Sequence, residues 1–264
     1  MDLTEKALME RLSGRHIGNT IHFLEEVKST NDYAFQLAHR GAPDGTVIIA
    51  NCQTKGKGRL HRIWQSPPGL NLYTSIILKP DLDPVFASQI TLTAGVVVAE
   101  LLSLFGLADV TLKWPNDVQI KGKKVCGILT ELGVSSHQRV DFIIVGIGVN
   151  INMNKEDFDP SFQDISTSMK EESGKVISRL DFTAELYNHF EKWYTTWSIE
   201  GFGIVKKVWL DYTSMVGKRI VVAFLGDTQA GEVIGIDDYG ALLIADENGD
   251  VKKIVAGDAS VVKN

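Results

Sequence analysis

Residues 53–64 read QTKGKGRLHRIW, in which Lys55, Lys57, Arg59 and Arg62 are interleaved with Gly56 and Gly58 and no acid intervenes. Glycine frees the backbone to wrap closely around a ligand, and clustered cations attract a phosphate or a carboxylate. Trp64 closes the segment with a flat ring able to stack on another. The same residues also fit a solvated, basic hairpin tip. The segment is not a phosphate loop of the Walker type, because GxxxxGK[ST] occurs nowhere in the chain.

Strands are expected on both sides of this loop, at Thr46–Ala50 and Leu70–Leu78. Toward the N-terminus, Leu3–Leu12 reads as a short amphipathic helix and Thr20–Val27 as a strand. Ser29 and Thr30 then cap a helix that carries Tyr33, Ala34, Leu37 and Ala38 on one face and ends at Gly41. Toward the C-terminus, Val85–Phe105 is a helix apolar over much of its surface, so it belongs deep in the core. A strand at Val110–Lys113, a turn at Pro115–Asp117 and a hairpin at Lys121–Lys124 follow. The strand Phe142–Val149 contains Gly146 and Gly148, which let another group approach the backbone. Asn152–Gly174 reads as a polar surface excursion. Asp181 is the expected cap of a helix to Trp197, and Phe182, Leu186, Phe190, Trp193 and Trp197 form its core stripe. A further helix spans about Gly203–Tyr212. From Val216 the texture changes to short β-rich runs (RIVVAF, GEVIGI, ALLIAD, KKIVAG) separated by turns such as DDYG and ENGD, the pattern of a small β-barrel.

The chain has 264 residues, 44% hydrophobic and 23% charged, with a formal net charge of -6. This composition excludes a disordered chain and gives no general excess of Lys and Arg for binding nucleic acid. Pro84–Ala99 is the longest uncharged stretch, and its Ser88, Gln89, Thr91 and Thr93 leave it short of a membrane span. Two cysteines without CxxC spacing indicate neither a disulfide framework nor a zinc site. A cytoplasmic location is expected, because MDLTEKALMERL has no secretory h-region.

Three further segments could carry chemistry. In KWPND, Lys113 ends a strand before a proline turn, where its ammonium can neutralise charge developing on a phosphate or acyl group. Asn116 and Asp117 there fit a hydroxyl or a water-mediated metal contact, or equally an ordinary turn. In GIGVNIN, Asn150 is a polar group at the end of an apolar strand that must find a partner, either in a ligand or in a loop it ties down. In STN, the groups of Ser29, Thr30 and Asn31 suit a helix cap and also an amide or urea carbonyl. His16, His61 and Cys126 have no partners at metal-ligand spacing.

Taken in order, these segments resemble the biotin protein ligase family, whose pattern runs STN, Gln, GRGRxGRxW, KWPND, a GIL.E strand and GxGxN. The counterparts are Ser29–Asn31, Gln53, Gly56–Trp64, Lys113–Asp117, Gly127–Glu131 and Gly146–Asn150. The resemblance runs from about Thr20 to the C-terminus. It implies an α+β fold: a catalytic domain like that of class II aminoacyl-tRNA synthetases, with a mixed, largely antiparallel sheet, followed by an SH3-like barrel. The corresponding boundaries are a helical segment at 1–19, a catalytic domain at 20–212 and a barrel at 213–264. It also implies ATP and biotin as substrates with Mg²⁺, formation of biotinyl-5′-AMP, and transfer to a lysine of a biotin carboxyl carrier protein or domain.

By the same resemblance, Lys113 and Arg59 are the catalytic residues. Ser29, Thr30, Asn31, Gln53, Gly56, Lys57, Gly58, Arg59, Lys113 and Gly127 contact biotin or its adenylate. Arg62, Trp64, Asn116, Asp117 and Asn150 face the nucleotide, and no metal ligands are assignable. Few residues precede the first strand, so a monofunctional member without a DNA-binding module is expected, with no nucleic-acid or membrane partner; a homodimer stays open. Lys57 replaces an arginine and loses its bidentate fork. His61 replaces a glycine and restricts the loop if that position needs positive φ. A lipoate–protein ligase and a non-catalytic biotin sensor are the alternatives.

Overall fold

The apolar run that follows Pro84 becomes helix α3 (Ala87–Leu104), around which the protein is built in a computed structural model that describes residues 3–135, 139–224 and 227–262. Thirteen of its residues are buried, Gly95 among them. The helix with its short lead-in, Pro84–Leu104, is long and apolar enough to cross a membrane, with a mean hydropathy of 1.7. That corrects the expectation that this stretch falls short of a span. Its apolar surface is taken up by the core, since 72% of the qualifying window is buried.

α3 lies against a seven-stranded sheet: β1 (Ile21–Val27), β2 (Val47–Gln53), β3 (Leu72–Leu78), β4 (Val110–Lys113), β5 (Asp117–Ile120), β6 (Lys123–Val134) and β7 (Val140–Val149). The spatial order is β1-β2-β3-β7-β6-β5-β4, and β1/β2 is the one parallel pair. The α3 face forms the main core with α5 (Arg179–Glu200) and α6 (Phe202–Tyr212). On the other face, α2 (Thr30–His39) packs Ala34 and Ala38 on Ile48, Ile77, Phe142 and Ile144. α2 covers that face only in part, and the uncovered remainder is where the candidate site lies.

The C-terminal strands β8 (Arg219–Phe224), β9 (Asp227–Ile236), β10 (Leu242–Ala245), β11 (Val251–Ile254) and β12 (Asp258–Val261) form an antiparallel sheet in the order β11-β10-β9-β8-β12. Its apolar side joins the main core through Ile220, Val222, Val233 and Leu242. A second, polar seam is built on the DDYG turn. Gln89 Nε2 donates to the Asp238 carbonyl at 2.7 Å, Trp114 Nε1 to that of Gly240 at 3.0 Å, and Ser88 Oγ to that of Tyr239.

Three local expectations change. The first helix, α1, is only Glu5–Met9. The cap of α5 is Ser178, whose side chain accepts from the Asp181 N–H, so the helix starts earlier than Asp181. Asn152–Gly174 is only partly a surface excursion. It contains α4 (Met169–Ser173), and Met153, Thr167 and Ser168 are buried, with Ser168 Oγ donating to the Met153 carbonyl.

The segment before β1 is fastened by one carboxylate. Glu191 accepts from the backbone N–H groups of Arg15, His16 and Ile17 at 3.1, 3.0 and 2.9 Å. Partial burial pushes its pKa up, but these donors outweigh that and hold it below the ordinary glutamate value. A depressed pKa contributes stability that is complete above the unfolded-state value and lost as pH falls through the folded one. Glu191→Ala should therefore cost about 1–2 kcal/mol near neutral pH, the low end for orphaned donors because water reaches the site. Urea titrations of the two proteins should converge as pH drops below the ordinary glutamate pKa; a gap that persists there contradicts this account.

Candidate active site

The parallel β1/β2 pair sets Val27 beside Gln53, so the segments leaving both strands emerge together. Ser29 caps α2 by accepting from the Asp32 N–H. Gln53 Oε1 accepts from the Thr30 N–H at 2.9 Å and from Thr30 Oγ1 at 3.1 Å. Asn31 reaches across the sheet, donating from Nδ2 to the Leu129 carbonyl (3.1 Å) and to Glu131 Oε2 (2.7 Å). Ser75 Oγ lies 2.8 Å from Thr30 Oγ1 and donates to Asn31 Oδ1 at 2.6 Å. Ser29, Thr30 and Asn31 are all buried. Thus Ser29 is the cap, whereas Thr30 and Asn31 belong to a polar network that ties α2 to β2, β3 and β6.

Next to this network the sheet loses its side chains. Gly127 of β6 and Gly148 of β7 are cross-strand partners, and Trp64 lies over them. A Cβ on Gly148 would sit 2.6 Å from Trp64 Cε2 and Nε1, and one on Gly127 would sit 3.0 Å from Cζ3. Gly146 makes room in the same way for the Asn31 amide. The expectation that Gly146 and Gly148 admit a close approach is met, by Asn31 and by the indole. Trp64 Nε1 is buried without a hydrogen-bond partner.

Cations rim this trough. Lys124 Nζ lies 2.6 Å from Asp117 Oδ1 and 5.3 Å from the Trp64 ring centroid. Lys113 is the cross-strand neighbour of Asp117, so the two share a face. Asn116 is clipped to β6, donating from Nδ2 to the Ile128 carbonyl at 2.7 Å while its own carbonyl accepts from the Ile128 N–H at 3.0 Å. Arg59 Nη1 donates to Asn116 Oδ1 at 3.3 Å, and its Nη2 to the Gly257 carbonyl at 3.1 Å. Burial pulls the Arg59 pKa below the ordinary arginine value, and Asp258 and Asp117 pull it back up.

The basic loop is a narrow hairpin. Trp64 N–H donates to the Gly56 carbonyl at 2.9 Å and Gly58 N–H to the Arg62 carbonyl at 2.7 Å. Gly56 has no room for a Cβ, which would strike the Trp64 carbonyl. The tip residues Leu60 and His61 have φ of 52° and 60°, so position 61 does require positive φ. Left-handed backbone costs an L-residue about 1–2 kcal/mol. The tip is a strained turn held by its flanks.

The structure thus brings together Thr30, Asn31, Gln53, Gly56, Trp64, Lys113, Asn116, Asp117, Gly127 and, at the rim, Arg59. Lys57 instead pairs with Asp32 on the surface, and Arg62 pairs with Asp258. A Cβ on Gly58 would meet Arg62 at ordinary van der Waals distance, so space alone does not require glycine there. Asn150 stands apart from this group. It is 5% exposed and its Nδ2 donates to the Thr167 carbonyl at 3.1 Å, so its amide ties down the following loop. Lys124 was missed because KGKK reads locally as a hairpin tip; its place three residues before Gly127 on the GILTE strand was the available signal.

The chain matches the Biotin/lipoate A/B protein ligase family over residues 23–150 and the Biotin protein ligase C terminal domain over residues 216–262. The Bifunctional ligase/repressor BirA of Bacillus spizizenii is 36% identical over 97% of this chain and 78% of the relative. The Biotin--[acetyl-CoA-carboxylase] ligase of Paracoccus denitrificans is 31% identical over 84% of this chain and 92% of the relative. Among solved structures, the biotin protein ligase from Aquifex aeolicus in complex with biotin and ATP is similar at a TM-score of 0.78 and 30% identity, over 93% of this chain and 99% of that one. The same motifs, the same two-sheet architecture and relatives matched over most of their length lead to one conclusion: the chain belongs to the biotin protein ligase family.

Proposed function

We infer that the protein is an ATP-dependent biotin–protein ligase acting on the biotin carrier of acetyl-CoA carboxylase. The observation that carries this reading is the trough floored by Gly127 and Gly148, where no side chain rises from the strands and the Trp64 ring lies as a flat cover, bordered by the Thr30–Asn31 network at one end and by Lys113 and Lys124 at the other. A neutral, bicyclic urea needs the first end, and a reacting carboxylate and phosphate need the second.

In the first step a biotin carboxylate oxygen attacks the ATP α-phosphorus, and the bond to the pyrophosphate oxygen breaks. Two anions must meet, so Lys113 and Lys124 offset their repulsion and the charge that builds on the α-phosphate. Asp117 holds the Lys124 ammonium in place, and Trp64 covers the adenine. In the second step a neutral lysine amine of the acceptor attacks the mixed-anhydride carbonyl, AMP leaves, and an amide forms with loss of a proton. Among the described residues no group of three or more His, Cys, Asp or Glu side chains could hold a metal ion. Magnesium would enter as the ion that travels with ATP, neutralising charge on its phosphates. A cytoplasmic setting fits the two free thiols, Cys52 and Cys126. A homodimer fits the far half of β6, which among the described residues has β7 as its one strand neighbour.

Incubation with ATP, biotin and an acetyl-CoA carboxylase carrier domain should add one biotin to a single lysine, read by intact mass and peptide mapping; an unmodified carrier contradicts the reading. Lys113→Ala and Lys124→Ala should each slow biotinyl-5′-AMP formation by about a hundredfold or more, the usual loss for one electrostatic stabiliser. Near-normal formation in either variant removes that lysine from the mechanism. Arg59→Gly should unpin the loop from Asn116 and Gly257 and let activated biotin escape to bystander lysines. Weaker labelling that stays confined to the carrier contradicts that role.

A further inference from the structure

The C-terminal β unit meets the basic loop at one carboxylate. Asp258, the first residue of β12, is 25% exposed; its Oδ1 lies 3.3 Å from Arg59 Nη1, and its Oδ2 pairs with Arg62. The neighbouring Gly257 supplies the carbonyl that takes the other Arg59 nitrogen at 3.1 Å. Two of the loop's cations therefore converge on two consecutive residues that lie about two hundred positions away in sequence.

Asp258 is itself held firmly. β12 pairs with β8, opposing Asp258 to Ala223. Gly257 has φ of +135°, and a Cβ there would sit 2.6 Å from Val222 Cγ1, so the strand begins in close contact with β8. The β unit is keyed to the N-terminus of α3 by the Ser88 and Gln89 donors and to the turn between β4 and β5 by the Trp114 donor, and Phe86 stacks on Tyr239 with ring centroids 5.2 Å apart. A rigid unit thus presents a fixed anion to a loop whose tip is strained at Leu60 and His61. The loop's other acidic anchor, Asp32 on Lys57, is 41% exposed and so more weakened by solvent. Arg59 and Arg62 also repel each other, and Asp258 compensates both.

We propose that Asp258 is a positioning residue through which the C-terminal β unit holds the basic loop over the site and retains the activated acyl-adenylate until an acceptor lysine arrives. This rests on the ligase reading and gives the β unit a part in that reaction. Arg59 is the pinned member, shared with Asn116. Arg62, whose side chain is 68% exposed, is the member free to exchange the carboxylate for phosphate.

The test uses the full chain loaded with biotinyl-5′-AMP made from labelled biotin and ATP. In Asp258→Asn, the adenylate should leave about tenfold faster in a chase, the size expected for loss of a charge-assisted contact. Labelling of a bystander such as serum albumin should rise, and the damage in pyrophosphate exchange should fall on KM for ATP more than on kcat. Asp258→Glu should restore retention. Wild-type retention in Asp258→Asn overturns the proposal. So does fast release that Asp258→Glu fails to rescue and that comes with a lowered melting temperature, since that marks a merely structural role. Failure of the unsubstituted protein to form biotinyl-5′-AMP at all overturns the ligase reading itself, a separate result.

Discussion

Everything in the site depends on two adjacent strands that carry no side chains where they cross its floor. Gly127 and Gly148 are cross-strand partners, and a Cβ on either would fall at or inside the tight-contact limit of the Trp64 ring. Only this bare stretch lets a flat group lie directly on the sheet. Gly146 continues it toward Asn31, and the polar network of Thr30, Asn31, Gln53 and Ser75 closes that end. Cations approach through β4, β5 and the start of β6, and Arg59 joins them from the basic loop. Lys113 and Lys124 stand on the strand side, with Asp117 as the anion between them.

The fold supports this floor from behind. Ile128 and Ile147, which alternate with the bare positions, join the core that α3 dominates. The glycines therefore weaken one face of the sheet while the other is packed against the longest run of buried helix. That division explains how a region without side chains stays flat and ordered. It also places the C-terminal β unit, because α3 carries at its N-terminus the donors that receive the DDYG turn.

Much of this was legible in the sequence, and what was illegible shares a cause. Ser29 as a cap, the apolar helix around Val85–Phe105 and the close approach at Gly146 and Gly148 follow from local pattern. The bond between Thr30 and Gln53 needs the parallel pairing of β1 with β2, which no local rule supplies. Lys124 hides in a turn-like run, and the register shift between β5 and β6 near Val118 is visible only after folding. Asn150 left two readings open, and the partner it takes in the fold, the Thr167 carbonyl, lies seventeen residues on where no local pattern points to it. Asp258 gave no signal, because its meaning lies in the distant Arg59 and Arg62. His61 is the opposite case: standing where the family pattern has a glycine, it posed the question of a positive φ in the sequence itself, and the backbone has one.

The shared ancestry of biotin and lipoate ligases leaves the acid as the decisive variable. A bicyclic urea uses donors and acceptors of the kind Thr30 and Asn31 offer, whereas the dithiolane of lipoate has none to match them. The most direct measurement is isotopic exchange between ATP and pyrophosphate, run with biotin, with lipoate and with no added acid. This account predicts exchange with biotin alone. Exchange with lipoate alone, or with neither acid, contradicts it.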